Sequence, residues 1–281
     1  MSAHADRKDV PADNDRNWIG ALKSTYRQAA KDNAGIVAAG VAYYAFLAFV
    51  PLLAAMALGY GLFADPETVA GHAQMLAGSL PSEAAKLITE QLESATQEAT
   101  GTKGLGLLIA LALALFSARG GATALITALN IAYDIREERS FLRKNVLALL
   151  MTVGAIIGLA LVITTITLVN VIDGVLGQIA AFLVTFGFAT MGAALLYRIA
   201  PHRDAPAFRY QLPGALFFAA AISLLTALFS FYVANFGNYN ATYGSLGAVV
   251  VLLTWLYIAA YALLFGAELN APSEHTDSVQ H

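Results

Sequence analysis

Residues 35–63 contain no Asp, Glu, Lys or Arg. A helix needs about 20 consecutive apolar residues to cross the hydrocarbon core of a bilayer, and in lipid the chain must satisfy its own backbone N–H and C=O groups. An uncharged stretch of this length therefore predicts a membrane-crossing helix. Further apolar runs at 104–133, 146–171, 179–199, 212–234 and 245–268 predict five more. Only 12% of the 281 residues are charged, against about 25% in a soluble domain. The expected fold class is all-α: a polytopic bundle of six transmembrane helices, with an N-terminal interfacial helix and an outer amphipathic helix pair.

The polar segments give the bundle its sides. The N-terminal segment holds Arg7, Lys8, Arg16, Lys23, Arg27 and Lys31. The loop after the second span holds Arg136, Arg139, Arg143 and Lys144, and the loop after the fourth holds Arg198, Arg203 and Arg209. Thirteen of the sixteen basic residues thus fall on one side of a six-span chain. The positive-inside rule puts that side, with both termini, in the cytoplasm. Residues 65–103, with six acids and only Lys86 and Lys103, then face outward. The expected division is a cytoplasmic segment at 1–33, a transmembrane domain at 34–269 with a periplasmic insert at 65–103, and a polar cytoplasmic tail at 270–281.

Residues 13–32 read as an amphipathic helix with Trp18, Leu22, Tyr26 and Ala29 on one face. That face can rest on an anionic membrane surface or pack on the protein itself. The N-terminus lacks the apolar core and cleavage site of a signal peptide, so the first span is expected to act as its own insertion signal. Leu76, Leu80, Leu87, Ile88 and Leu92 recur at helical spacing in the outer segment, and Pro81 suits a first helical turn.

Three places depart from a plain cylinder. Pro51 is expected to kink the first span, because its ring removes a backbone hydrogen bond. The second run is too long for the core, and Gly120-Gly121 is where it is expected to break unless it protrudes. Gly154 and Gly158 form a small-xxx-small pattern that lets helices approach closely.

Several blocks resemble the YihY/BrkB family of bacterial inner-membrane proteins. They are Ala42-Tyr43-Tyr44 with Pro51, Ser117-Ala118-Arg119 followed by Ala128-Leu129-Asn130, and Tyr197-Arg198-Ile199-Ala200-Pro201. The longest runs from Asn240-Ala-Thr-Tyr-Gly through Thr254-Trp-Leu-Tyr to Gly266-Ala-Glu-Leu-Asn270. The resemblance spans residues 32–270 and implies six helices in the inner membrane. Members of the family have been linked to serum resistance, and some carry the label of a tRNA-processing ribonuclease.

Arg119 is the most informative single residue. At helical rise it lies roughly 22 Å into its span, past the midplane, where insertion of Arg costs at least about 2.5–3.5 kcal/mol. Its reading as an anion or headgroup contact stands beside a structural one, an ion pair or a cap for carbonyls freed at a glycine break. Glu268, ending the last span on the same side, is the partner to test. Tyr43, Tyr44 and Asn130 belong to the cytoplasmic half, and Asn240 and Tyr243 to the outer loop before the last span. For these the expected roles range from ligand contacts to an interfacial tyrosine belt and turn residues.

Enzyme chemistry finds little support. There is no cysteine, and the five histidines are scattered, so no metal site is expected. Phosphate-loop, nucleophile-elbow and His-Glu-x-x-His motifs are absent. The acids of the cytoplasmic loops, Asp134, Glu137, Glu138 and Asp204, have only His202 near them in sequence. The expectation is a non-enzymatic membrane protein without cofactor or nucleic-acid partner, moving a small solute, ion or lipid-like molecule. The alternative is an envelope-integrity protein acting through membrane or envelope partners at its outer helical pair. Self-association is left open.

Overall fold

The computed structural model describes residues 18–61, 105–169, 172, 174–204, 207–236 and 245–275. These form α1 (Trp18–Lys31), α2 (Ala34–Gly61), α3 (Leu105–Ala132), α4 (Phe141–Val169), α5 (Val175–Ile199), α6 (Leu212–Phe236) and α7 (Ser245–His275). A single 3-10 turn, Phe208–Tyr210, precedes α6. Six of the helices, α2 to α7, are long and apolar enough to cross a membrane. The described residues contain no strand. The expected outer helix pair at 65–103 lies outside the described residues.

Each spanning helix packs on its neighbour in sequence, and α7 packs back on α2, so the six close into a ring. The helix α7 also touches α1 and α3. Large apolar side chains such as Leu150, Ile157 and Leu168 on α4 point out of the ring. Exposure on this scale is untenable in water and fits a bilayer as the solvent. The buried core sits toward one end, where Ala38, Ile126, Leu129, Tyr197, Leu264 and Ala267 cluster. The same end carries the α1–α2 junction and the connections 133–140 and 200–211, with most of the arginines, and is called the basic end below.

The apolar face of α1 is divided between a packed part and an exposed part. Thr25 and Ala29 are buried, and α1 packs on α7, while Leu22 and Tyr26 remain exposed. It ends at Asp32-Asn33, where Asn33 takes a left-handed conformation (φ 51°) that asparagine tolerates better than most residues.

The expected interruption of the second span does not occur: α3 is one continuous helix of 28 residues through Arg119-Gly120-Gly121. Glycine breaks helices in water partly because water competes for the exposed backbone, and a bilayer offers no such competitor. A helix longer than the hydrocarbon core is accommodated in a bilayer by protrusion or tilt. Gly121 serves packing instead. A Cβ built there would lie 3.3 Å from the Ala48 Cβ, so α2 and α3 approach closely at this level. The helix α2 runs on through Pro51. The helix α7 continues to His275, and its membrane-spanning stretch ends at Ala271.

The close approach expected at Gly154 and Gly158 is also placed elsewhere. Neither glycine has a heavy atom within 4 Å of its would-be Cβ. The tight crossing is between α6 and α7. There a Cβ on Gly266 would lie 2.6 Å from the Gly214 carbonyl oxygen, well inside van der Waals contact.

Candidate functional site

The basic end is held by side chains that tie loops to helix ends. The helix α3 stops in a left-handed turn at Asp134 (φ 52°), and the Ile135 N–H reaches back to the Asn130 carbonyl at 2.8 Å. This is the Schellman pattern, and Ile135 packs on the core as the pattern requires. The Asn130 side chain spans two connections. Its Nδ2 donates to Glu137 Oε2 at 2.9 Å, and its Oδ1 accepts from the His202 N–H at 2.9 Å. Glu137 also accepts from the Arg139 N–H at 3.1 Å. Arg139 in turn donates to the Ala200 and Pro201 carbonyls at 2.9 and 2.7 Å.

A second set of contacts lies one layer deeper. The Tyr197 hydroxyl donates to the Leu263 carbonyl at 2.8 Å, and its ring meets Tyr133 edge-on. The Arg203 guanidinium sits 3.8 Å from the Tyr133 ring centre. Asn270 accepts from the Gly214 N–H at 2.8 Å and donates to the Gln211 carbonyl at 3.3 Å. Pro213 has no N–H to satisfy in the first turn of α6, and Asn270 caps the next donor, Gly214. Asn270 is fully buried, so its loss would strand that N–H.

Two polar groups in this region have no such satisfaction. Glu268 is 2% exposed, and neither carboxyl oxygen has a hydrogen-bond donor among the described residues. The carboxyl facing it belongs to Asp32, at the end of α1. Two ionised carboxylates have no hydrogen to share, so a bond between them requires a proton. The Gln211 side chain is fully buried, with both its polar atoms unpartnered among the described residues.

Arg119 lies apart from this layer, on the α3–α4 side. Its Nη1 donates to Asn145 Oδ1 at 2.5 Å, and its guanidinium stacks 4.1 Å from the Phe116 ring centre. The expected Arg119–Glu268 ion pair is not among the pairs formed by the described residues. Arg119 faces α4, whereas Glu268 faces the α1–α2 junction.

The candidate residues thus divide. Asn130 and Glu268 share the basic end with Tyr133 and Tyr197. Tyr43 and Tyr44 stack edge-on against each other but are 55% and 51% exposed on α2, so they join no buried site. Asn240 and Tyr243 lie outside the described residues. Asn145, Gln211 and Arg139 carry roles that sequence reading missed. Gln211 and Asn145 had a signal, an amide close to the start of an apolar run. Among the described residues no group of three or more His, Cys, Asp or Glu is placed to hold a metal ion.

The blocks at Asn130, 197–201 and 266–270 all converge on the basic end, and several known relatives match most of the chain. The ribonuclease-like protein YfkH of Bacillus subtilis (strain 168) is 31% identical over 252 residues, covering 83% of this chain and 87% of its own. A UPF0761 membrane protein of Pseudoalteromonas translucida is 25% identical over 249 residues, covering 85% and 81%. Another, from Psychromonas ingrahamii, is 28% identical over 264 residues, covering 90% and 87%. No solved structure matches the chain. Residues 25–281 match the family described as Virulence factor BrkB. This multi-pass membrane protein therefore belongs to the BrkB family.

Proposed function

We propose that the protein moves a small solute, ion or lipid-like molecule across the bacterial inner membrane, with its basic end and both termini in the cytoplasm. The observation that carries this reading is Glu268. A carboxyl inside a membrane span is costly and marks a pathway or relay by default. A donor-free carboxylate adds several kcal/mol unless a proton or cation neutralises it. Glu268 is buried among helices, has no nitrogen or hydroxyl donor among the described residues and faces the Asp32 carboxyl, which supports a role in taking up a proton or cation. The positive-inside distribution supports the orientation.

The reading as a ribonuclease, suggested by the name of one relative, is disfavoured by the loop acids. Both Glu137 oxygens accept protein hydrogen bonds, and the Glu138 N–H is turned toward His202 Nδ1 at 3.4 Å. These contacts build the loops, so we favour a non-enzymatic role.

Purified protein in liposomes tests the proposal, with proton, sodium, chloride and fluorescent-lipid movement followed in parallel. Wild type should move at least one probe well above empty vesicles, and Glu268→Gln should reduce that rate about tenfold or more, given a loss of roughly 1.4 kcal/mol or more. Wild type, variant and empty vesicles leaking alike for every probe would remove the support. For orientation, a reporter fused after Thr100 should read as extracytoplasmic; a cytoplasmic signal would overturn it.

A further inference from the structure

We propose that the groove between α3 and α4 binds the phosphate of an anionic phospholipid, through Lys144 and Arg119. The helix α3 presents Arg119, Thr123 and Thr127 at four-residue intervals, which places them in one stripe. Thr123 and Thr127 turn their hydroxyls onto the backbone of their own helix, at 3.1 and 3.0 Å. Across from them α4 presents Lys144 and Asn145. Lys144 Nζ donates to Thr127 Oγ1 at 3.1 Å, and Arg119 donates to Asn145 as described.

The partners of both cations are neutral. No carboxylate lies within ion-pair distance of Arg119 or Lys144 among the described residues, and Arg119 Nε is buried without a partner there. Neutral acceptors orient a cation but leave its charge in place. Two full charges in a low-dielectric groove attract an anion more strongly than they would in water.

The location selects the anion. Thr127 and Phe116 are exposed on the outside of the ring, so the groove opens toward lipid. The Arg119 backbone lies thirteen residues before the end of α3, about 20 Å along the axis, but its guanidinium reaches Asn145, the residue after Lys144 at the start of α4. The two cationic groups therefore sit near the basic end, with the Arg119 stem and Phe116 running on along α3 toward the hydrocarbon region. A soluble anion gains nothing from the apolar surface beside these charges, whereas a lipid phosphate arrives with chains that cover it. Lys144 and Arg119 meet the headgroup together, and Phe116 offers apolar surface to the chains. This assignment holds whether or not anything crosses the bundle.

Native mass spectrometry of the full chain tests it, with phosphatidylglycerol against phosphatidylcholine as probes. Each basic residue near an anionic lipid is worth roughly fivefold in binding, so wild type should prefer phosphatidylglycerol by about thirtyfold. The preference should fall about fivefold in Lys144→Gln, nearly vanish in Arg119→Gln/Lys144→Gln, and survive in Lys144→Arg and in the control Arg209→Gln. Should Arg119→Gln fail to fold, Lys144→Glu carries the test and should weaken the preference further than Lys144→Gln. Equal binding of the two lipids by wild type, or a preference unchanged in the Lys144 variants, would overturn the site. So would displacement of the lipid by millimolar inorganic phosphate, because the ligand would then be a soluble anion.

Discussion

Alanine at Gly214 separates the packing seen in the structure from the packing a sequence motif would nominate. A Cβ at position 214 overlaps the Gly266 carbonyl and lies 2.6 Å from Asn270 Nδ2. Ordinary contact begins near 3.4 Å, so the α6 and α7 backbones must part by about 1 Å or more. Overpacking of this kind costs about 1–3 kcal/mol. The displacement also stretches the Gly214–Asn270 and Tyr197–Leu263 hydrogen bonds, both 2.8 Å, each worth about 0.6–1.7 kcal/mol in a membrane protein. The expected destabilisation is therefore about 3–5 kcal/mol for Gly214→Ala, and similar for Gly266→Ala. Gly154→Ala and Gly158→Ala meet no atom within 4 Å and should be neutral, or stabilising by up to about 1 kcal/mol through helix propensity. Reversible unfolding in mixed micelles with increasing dodecyl sulfate gives all four values on one scale. A cost at Gly154 equal to that at Gly214, or a Gly214→Ala effect below about 1 kcal/mol, would refute the reasoning.

Asn130→Ala removes the bonds to Glu137 and His202 and should destabilise by about 2–3 kcal/mol, with faster hydrogen exchange in both connections at the basic end. Unchanged exchange in residues 200–204 would show that Asn130 does not tie the loops together. Tyr43→Leu and Tyr44→Leu, on an exposed face of α2, should alter stability by no more than about 0.5 kcal/mol in the same assay. A larger loss would mean that these rings pack against something beyond the single chain.

The spans were legible because lipid imposes one strong demand, an unbroken apolar helix, and composition alone reveals where it is met. The same demand explains the error at Gly120-Gly121. The expectation borrowed glycine's behaviour in water, and α3 runs on because nothing in the bilayer competes for its backbone. Asn130 was legible as a polar residue at a helix end, but its role was not, since Glu137 and His202 reach it through the way the loops fold. The partners of Arg119 and Glu268 depend on the register and rotation of α4 and α7, which a uniformly apolar helix surface leaves unmarked. Gly154 and Gly158 advertised an interface by spacing alone, whereas Gly214 and Gly266 belong to different helices and share no local pattern.

The closing of the ring by α7 gives the chain an order in time. Synthesis delivers α2 to α6 into the membrane before the last helix exists. Until it arrives, the Gly214 N–H lacks its cap from Asn270 and the Tyr197 hydroxyl lacks the Leu263 carbonyl. The core cannot close by degrees, because α7 supplies Leu263, Leu264, Ala267 and Asn270 together. A nascent chain that stops before Ser245 thus has α2 to α6 without these partners and with an open seam between α2 and α6. Completion of the final helix is therefore the step that closes the ring and supplies both partners at once.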